Sequence, residues 1–223
     1  MPADRYVSPA GPSRHEVEIR RSRFIACLFP VTDDEQARAR LGELRHEFHD
    51  ARHHCSAQLL GPGRDSAHSS DDGEPAGTAG VPIMQALTSH VTATGRADLS
   101  NVLAVVVRYF GGVKLGARGL TRAYGGTVAQ ALRLAPMLLH ERCALLDAHL
   151  PPADAGRLEA VLRAGGLDVM GTSWDDPAGP VVRIACPADA ADRAVGTIAA
   201  LTSGAARTEP AGTRWVPRPL PSS

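Results

Sequence analysis

The chain has 223 residues with 24 basic against 24 acidic side chains, 43% hydrophobic and 22% charged. Those proportions belong to a globular protein of one large or two small domains and exclude an intrinsically disordered chain. A formal net charge of zero excludes a uniformly basic nucleic-acid coat protein, although not a local basic face.

The opening Met1-Pro2-Ala3-Asp4-Arg5 lacks the charged-then-apolar pattern of a secretory leader. The longest uninterrupted apolar runs, residues 102–107 among them, are far shorter than the roughly 20 residues of a membrane span. A cytoplasmic protein outside the membrane is expected. Cys27, Cys55, Cys143 and Cys186 have none of the close spacings of a zinc knuckle or a redox dithiol, so reduced, buried thiols are expected.

Residues 15–19 and 23–31 read as paired strands, and 33–48 as a helix started by Asp33 and Asp34, with Leu41, Leu44 and Phe48 on one face. Residues 53–60 read as a strand, followed by a loop rich in Gly, Ser and Asp over 61–80. A helix is predicted over 81–94 and a strand over 101–110, apolar enough to be central in its sheet. Gly111, Gly112, Gly116 and Gly119 then lead into a helix running to about Leu134.

On a wheel at 100° per residue, Arg118, Arg122 and Arg133 of that last helix fall within one narrow sector, opposite Leu120, Ala123, Val128, Ala131, Leu132, Leu134 and Ala135. Between Asp98 and Glu141 there is no acid, while Arg108, Lys114, Arg118, Arg122 and Arg133 make a local charge of +5. Solvated helix faces ordinarily interleave signs. Lys114 is the single lysine beside 23 arginines. Gly125 and Gly126 each weaken the helix by about 1 kcal/mol relative to Ala and suggest that another backbone comes close.

In the last third, Pro152-Ala153-Asp154-Ala155 recurs as Pro187-Ala188-Asp189-Ala190. Each copy follows a strand-like run and opens a helix, where Pro and Asp are favoured by the first-turn geometry, capping and the macrodipole. The two units read strand 143–150, helix 154–164, strand 167–174, then strand 181–186, helix 189–202, strand 205–216. That order is the ferredoxin-like plan of four strands with two helices on one face. Trp174 and Trp215 end the closing strands and are assigned to the core, with base stacking as the other role open to them.

Three constellations can carry chemistry. The first is Arg108-Tyr109-Phe110-Gly111-Gly112-Val113-Lys114-Leu115-Gly116. There a glycine-rich turn at a helix N-terminus, with a lysine, suits an anion, yet the same glycines are explained by turns needing positive φ. The second, Ser70-Asp71-Asp72-Gly73-Glu74, has the carboxylate density of a Mg²⁺ or Ca²⁺ loop without the EF-hand spacing. Its plainer role is to cap the next helix or pair with arginines. The third is Arg52-His53-His54-Cys55, where strand alternation puts His53 and Cys55 on one face and His54 on the other. A buried strand start is the plainer reading, above a zinc ligand pair or a Cys55 and His nucleophile pair.

These blocks, in the order Asp50-Ala51-Arg52-His53-His54-Cys55, then residues 70–82, then residues 105–116, continued by Gly119-Leu120 and Arg122-Ala123-Tyr124-Gly125, resemble the YigZ/IMPACT family. The resemblance implies an α+β fold with domains at 14–138 and 141–217. The first would be like the second domain of ribosomal protein S5 and the second ferredoxin-like, together resembling the last two domains of elongation factor G. Eukaryotic relatives regulate translation initiation by competing for the activator of a stress-responsive kinase. They carry a further N-terminal domain without a counterpart in these residues, and that partner is not carried over. Bacterial relatives are regarded as nucleic-acid binders. The family usually has Gly where this chain has Arg118; where that glycine serves a positive φ, a strained arginine or a reshaped loop is expected.

The expected function is therefore that of an RNA- or ribosome-associated regulator of translation, without a cofactor, a metal or catalytic turnover. Phosphates would be bound by Arg108, Lys114, Arg118, Arg122, Arg133 and the backbone of Gly111, Gly112 and Gly116, with Tyr109 or Phe110 stacking on a base. Five cations meeting one strand would give a log–log salt slope of about −3.5. The competing classes are a Mg²⁺-dependent enzyme acting on a phosphorylated small molecule or nucleotide, using Asp71, Asp72 or Glu74, and a protein-binding regulator.

Overall fold

A computed structural model describes residues 4–220. Met1-Pro2-Ala3, which begin the stretch read for a leader, lie outside the described residues. The chain divides into two compact units, Met1–His140 with Arg218–Ser223, and Glu141–Pro217. The fold is mixed α and β, with two antiparallel sheets and, among the described residues, five α-helices. None of those helices is long and apolar enough to cross a membrane.

In the first unit, β1 (Arg5–Pro9) is followed by β2 (Ser13–Ile19), β3 (Ser22–Pro30), α1 (Asp34–Glu47), β4 (His53–Leu60), β5 (Ser66–Ser70), α2 (Gly80–Ser89), β6 (Val102–Tyr109) and α3 (Gly116–Leu134). The sheet runs β2-β3-β6-β4-β5, and each neighbouring pair is antiparallel. Central β6 is buried on both faces. Val102, Ala104 and Val106 join Phe24, Cys55, Ile83, Leu120 and Tyr124 under α2 and α3, whereas Leu103, Val105 and Val107 join Ile25, Phe29 and Leu44 under α1. A strand covered on both sides has no polar face, which is why it reads as a continuous apolar run. Each valine so buried contributes about 1.5–3 kcal/mol.

Local chemistry sets the element boundaries. Asp33 caps α1 by accepting from the Gln36 N–H at 2.8 Å. The predicted helix over 81–94 stops at Ser89. Beyond it, the Thr92 and Thr94 hydroxyls both donate to Asp98 at 2.7 Å, an alternative to the helical pattern. β5, which lies inside the expected loop, is a polar edge strand with four of its five residues exposed, so no apolar alternation announces it. A Cβ on Gly125 would sit 3.3 Å from the Pro82 carbonyl oxygen of α2, the close approach expected; Gly126 faces open space.

The chain leaves the first unit through β7 (Met137–His149), with which β1 also pairs. After β7 come α4 (Ala155–Ala164), β8 (Asp168–Ser173), β9 (Val181–Pro187), a single 3₁₀ turn, α5 (Ala191–Leu201) and β10 (Arg207–Pro219), with strand order β10-β7-β9-β8. Leu146, Leu158, Leu162, Val182, Ile184 and Ile198 form its core. Both Pro-Ala-Asp-Ala copies precede helices, but neither aspartate caps one by its side chain: Asp154 pairs with Arg157, and Asp189 lies in the 3₁₀ turn. Trp174 is 63% exposed, so its assignment to the core is corrected; its strand ends at Ser173 and the ring lies beyond the sheet.

None of the four cysteines forms a disulfide, and each is at most 6% exposed. Native protein should show essentially no fast-reacting thiol toward Ellman's reagent, and four after unfolding in guanidinium. A rapidly reacting equivalent in the native state would mean that one of these cores is open.

Candidate functional site

The site grows from the C-terminal end of β6. Arg108 stands in register with Phe24 of β3 and His53 of β4, and its side chain turns inward toward α3. There Arg108 Nη1 donates to Glu74 Oε1, and the Tyr124 hydroxyl donates to the same oxygen at 2.7 Å. The arginine and glutamate side chains are only 7% and 4% exposed. The guanidinium also lies 5.4 Å from the Phe24 ring centre and 5.6 Å from that of Phe110. Arg108, expected among the phosphate contacts, is therefore an internal cation, held because a buried carboxylate needs it.

The rest of the acidic loop is engaged in the same way. Asp71 accepts from the N–H groups of Gly77, Ala79 and Gly80 at 2.8–2.9 Å, and so caps α2 from a distance. Burial acts to raise its pKa, but the three N–H donors together pull it below the usual value. Asp72 receives Arg45 at 2.8 Å and the His54 N–H at 2.7 Å. His53 Nδ1 lies 2.9 Å from the Asp72 carbonyl oxygen, and the Cys55 thiol donates to that of Asp71. Gly73, at φ +86°, turns the loop beside the His53 ring. Among the described residues, no group of three or more His, Cys, Asp or Glu is arranged to hold a metal ion.

The predicted division of His53 and Cys55 from His54 holds in the strand. His54 is buried, its Nε2 has no partner, and desolvation lowers its pKa more than nearby Asp72 raises it, with Arg45 lowering it further. Burial pushes the Cys55 thiol up to about 12 and raises the Tyr124 hydroxyl far above its ordinary value. Neither group ionises near neutrality, so Cys55 is not an activated nucleophile. Arg52 is exposed.

Outside this buried network lies a cationic corner. Gly111 touches the β2–β3 hairpin: a Cβ there would fall 2.0 Å from the Arg21 carbonyl carbon and oxygen. Gly112 and Gly116 have φ of +84° and +71°, so these glycines serve the turn itself. Lys114, Arg118 and Arg122 are exposed, and no carboxylate among the described residues pairs with them. Arg118 lies within α3 and outside the left-handed region, so the expected strain is absent. Arg133, though exposed, is about 22 Å further along the helix axis. Tyr109 is on the α1 side of the sheet, donating to Asp50 at 2.7 Å beneath Arg23. Of the two proposed stacking rings, Phe110, 49% exposed, is the open one. Arg20 and Arg21 at the hairpin tip escaped the sequence reading, although they stand between two recognisable strands.

Residues 20–132 match the Impact N-terminal domain. The chain belongs to the IMPACT family. It is 46% identical to an IMPACT family member of Haemophilus influenzae over 58% of this chain and 60% of the relative. Against the IMPACT family member YigZ of Escherichia coli it is 45% identical over 57% and 60%. The chain thus spans less than two thirds of these relatives' own length. An IMPACT family member of Thermus thermophilus is 42% identical over 67% of this chain and 76% of the relative. A crystal structure of a hypothetical protein is similar over 92% of this chain and 96% of its own, at 34% identity and a TM-score of 0.59. The matched IMPACT segment contains the buried network and the cationic corner, but not Arg133.

Two outcomes follow for this IMPACT family member. Glu74→Ala should lower stability in urea by about 3–5 kcal/mol by stranding the Arg108 charge, whereas Glu74→Leu combined with Arg108→Met should recover most of the loss. A Glu74→Ala change below 1 kcal/mol would show that the pair is not the tie described. His54 is held neutral by the fold, so the unfolded chain binds more protons. Stability should be level above about pH 7 and fall as the pH drops through about 6.5; His54→Gln should remove its share of that fall, the rest coming from His90 and His140, whose pKa burial also lowers.

Proposed function

We propose that this chain is a cytoplasmic regulator of translation that binds the phosphates of RNA, at the ribosome, through Lys114, Arg118 and Arg122. The observation that carries this reading is the exposure of these three cations, unpaired among the described residues, with the exposed Phe110 four residues before Lys114 in the chain. Cations without internal carboxylates are available to a polyanion, and an exposed ring supplies a stacking surface for a base. Four thiols outside any disulfide suit a reducing compartment.

The domain assignment belongs to the same proposal. The order β-α-β-β-α-β with strands β10-β7-β9-β8 supports a ferredoxin-like second domain at 141–217. An S5-like first domain at 14–138 and the likeness of the pair to the end of elongation factor G are the parts that make the ribosome the preferred location. The reading as a Mg²⁺-dependent enzyme is the weaker one, because Asp71, Asp72 and Glu74 are all engaged within the fold.

Fluorescence anisotropy with a labelled single-stranded RNA over a salt series tests the proposal. The slope of log K against log salt should be no shallower than about −2.1, the value for three phosphate contacts, and Lys114→Ala with Arg122→Ala should reduce it by about 1.4. Binding unchanged by that double substitution would reject the assignment.

A further inference from the structure

The β2–β3 hairpin closes in two residues, with Ile19 paired to Ser22 and Arg20 and Arg21 at φ +48° and +65°. Positive φ at both central positions is the geometry that Asn-Gly satisfies with least strain, and long side chains with a Cβ are disfavoured there. Two arginines therefore occupy a turn that the backbone alone would not choose for them. Both are exposed, and no carboxylate among the described residues pairs with either. Of the acids on the adjoining strand, Glu16 is engaged by Arg23, and Glu18 stands opposite Arg23 in the register.

The tip is also seated on the cationic corner. Gly111 leaves no room for a Cβ against the Arg21 carbonyl, and its N–H donates to Ser22 Oγ at 3.2 Å. Lys114 is three residues further on, so its Cα lies within about 11 Å of that of Gly111. We infer that Arg20 and Arg21 form the second half of the phosphate-contacting surface, which thereby fits a single-stranded RNA running from the hairpin tip across the glycine corner to the first turns of α3. This inference rests on the phosphate-binding reading above and adds to it the path and class of the ligand. Phe110, exposed at the end of β6 between the two cationic groups in the chain path, favours an unpaired strand, because only a base outside a duplex presents its face to a ring.

The strained turn gives the test two independent readouts on the full chain. Arg20→Asn with Arg21→Gly should raise Tm by about 2–4 °C by placing the preferred residues in the turn. The same variant should weaken binding of a labelled single-stranded RNA 12-mer and lower the salt slope by about 1.4, from about −3.5 to about −2.1. Between 50 and 200 mM salt, this corresponds to an affinity loss of about 18-fold in the variant against about 130-fold in the parent. Arg20→Lys with Arg21→Lys should keep the steep slope. If the Asn-Gly variant keeps the parent slope while the Lys114 and Arg122 pair still loses its share, the hairpin inference is overturned and the phosphate-binding reading stands. If the parent does not bind RNA, both fall. A fall in Tm for the Asn-Gly variant would show that the arginines serve the fold, and equal affinity for a duplex of the same length would overturn the single-strand path.

Discussion

Arg108 enters the interior from the end of the central strand, where a guanidinium without a counter-charge would be costly to desolvate. Glu74 meets it from a loop, and Tyr124 meets the same carboxylate oxygen from α3. One oxygen thus ties strand, loop and helix together. Because Glu74 is held, its neighbours are placed as well: Asp71 reaches the N-terminus of α2, while Asp72 reaches Arg45 and the backbone of β4. The loop has the composition of a solvent-exposed cation binder and the contacts of a clasp.

The surface charge follows from that internal arrangement. The chain is neutral as a whole, but three acids of the loop are turned inward against β4, α2, α3 and β6. The cations of the glycine turn and the start of α3 have no such partners among the described residues. A local positive field then arises without a positive total, and at exposed positions it is available over about one Debye length. The glycines beside it act through shape: Gly111 lets the hairpin backbone come into contact, and Gly112 turns the chain.

Much of this was legible in the residues. The apolar run of β6, the cationic sector of α3 and the repeated strand, helix, strand pattern all depend on spacing over a few residues, and the element boundaries mostly agree within a few positions. β5 was not legible, because an edge strand of Ser, Ala and His owes its conformation to pairing with β4. The exposure of Trp174 and the burial of Arg108 were equally hidden, since residue type alone assigns an indole to the core and a guanidinium to solvent.

By itself the sequence determined the periodic elements, the family likeness and the absence of acid around α3, because each is a property of neighbouring residues. Tertiary structure alone decided which arginine pairs inward and which faces water, since Glu74 is 34 positions from Arg108 and 50 from Tyr124. It also decided that the hairpin tip rests on Gly111, 90 positions from Arg21 in the sequence. Charge partnership is a matter of distance and desolvation in three dimensions, and local spacing carries no record of either.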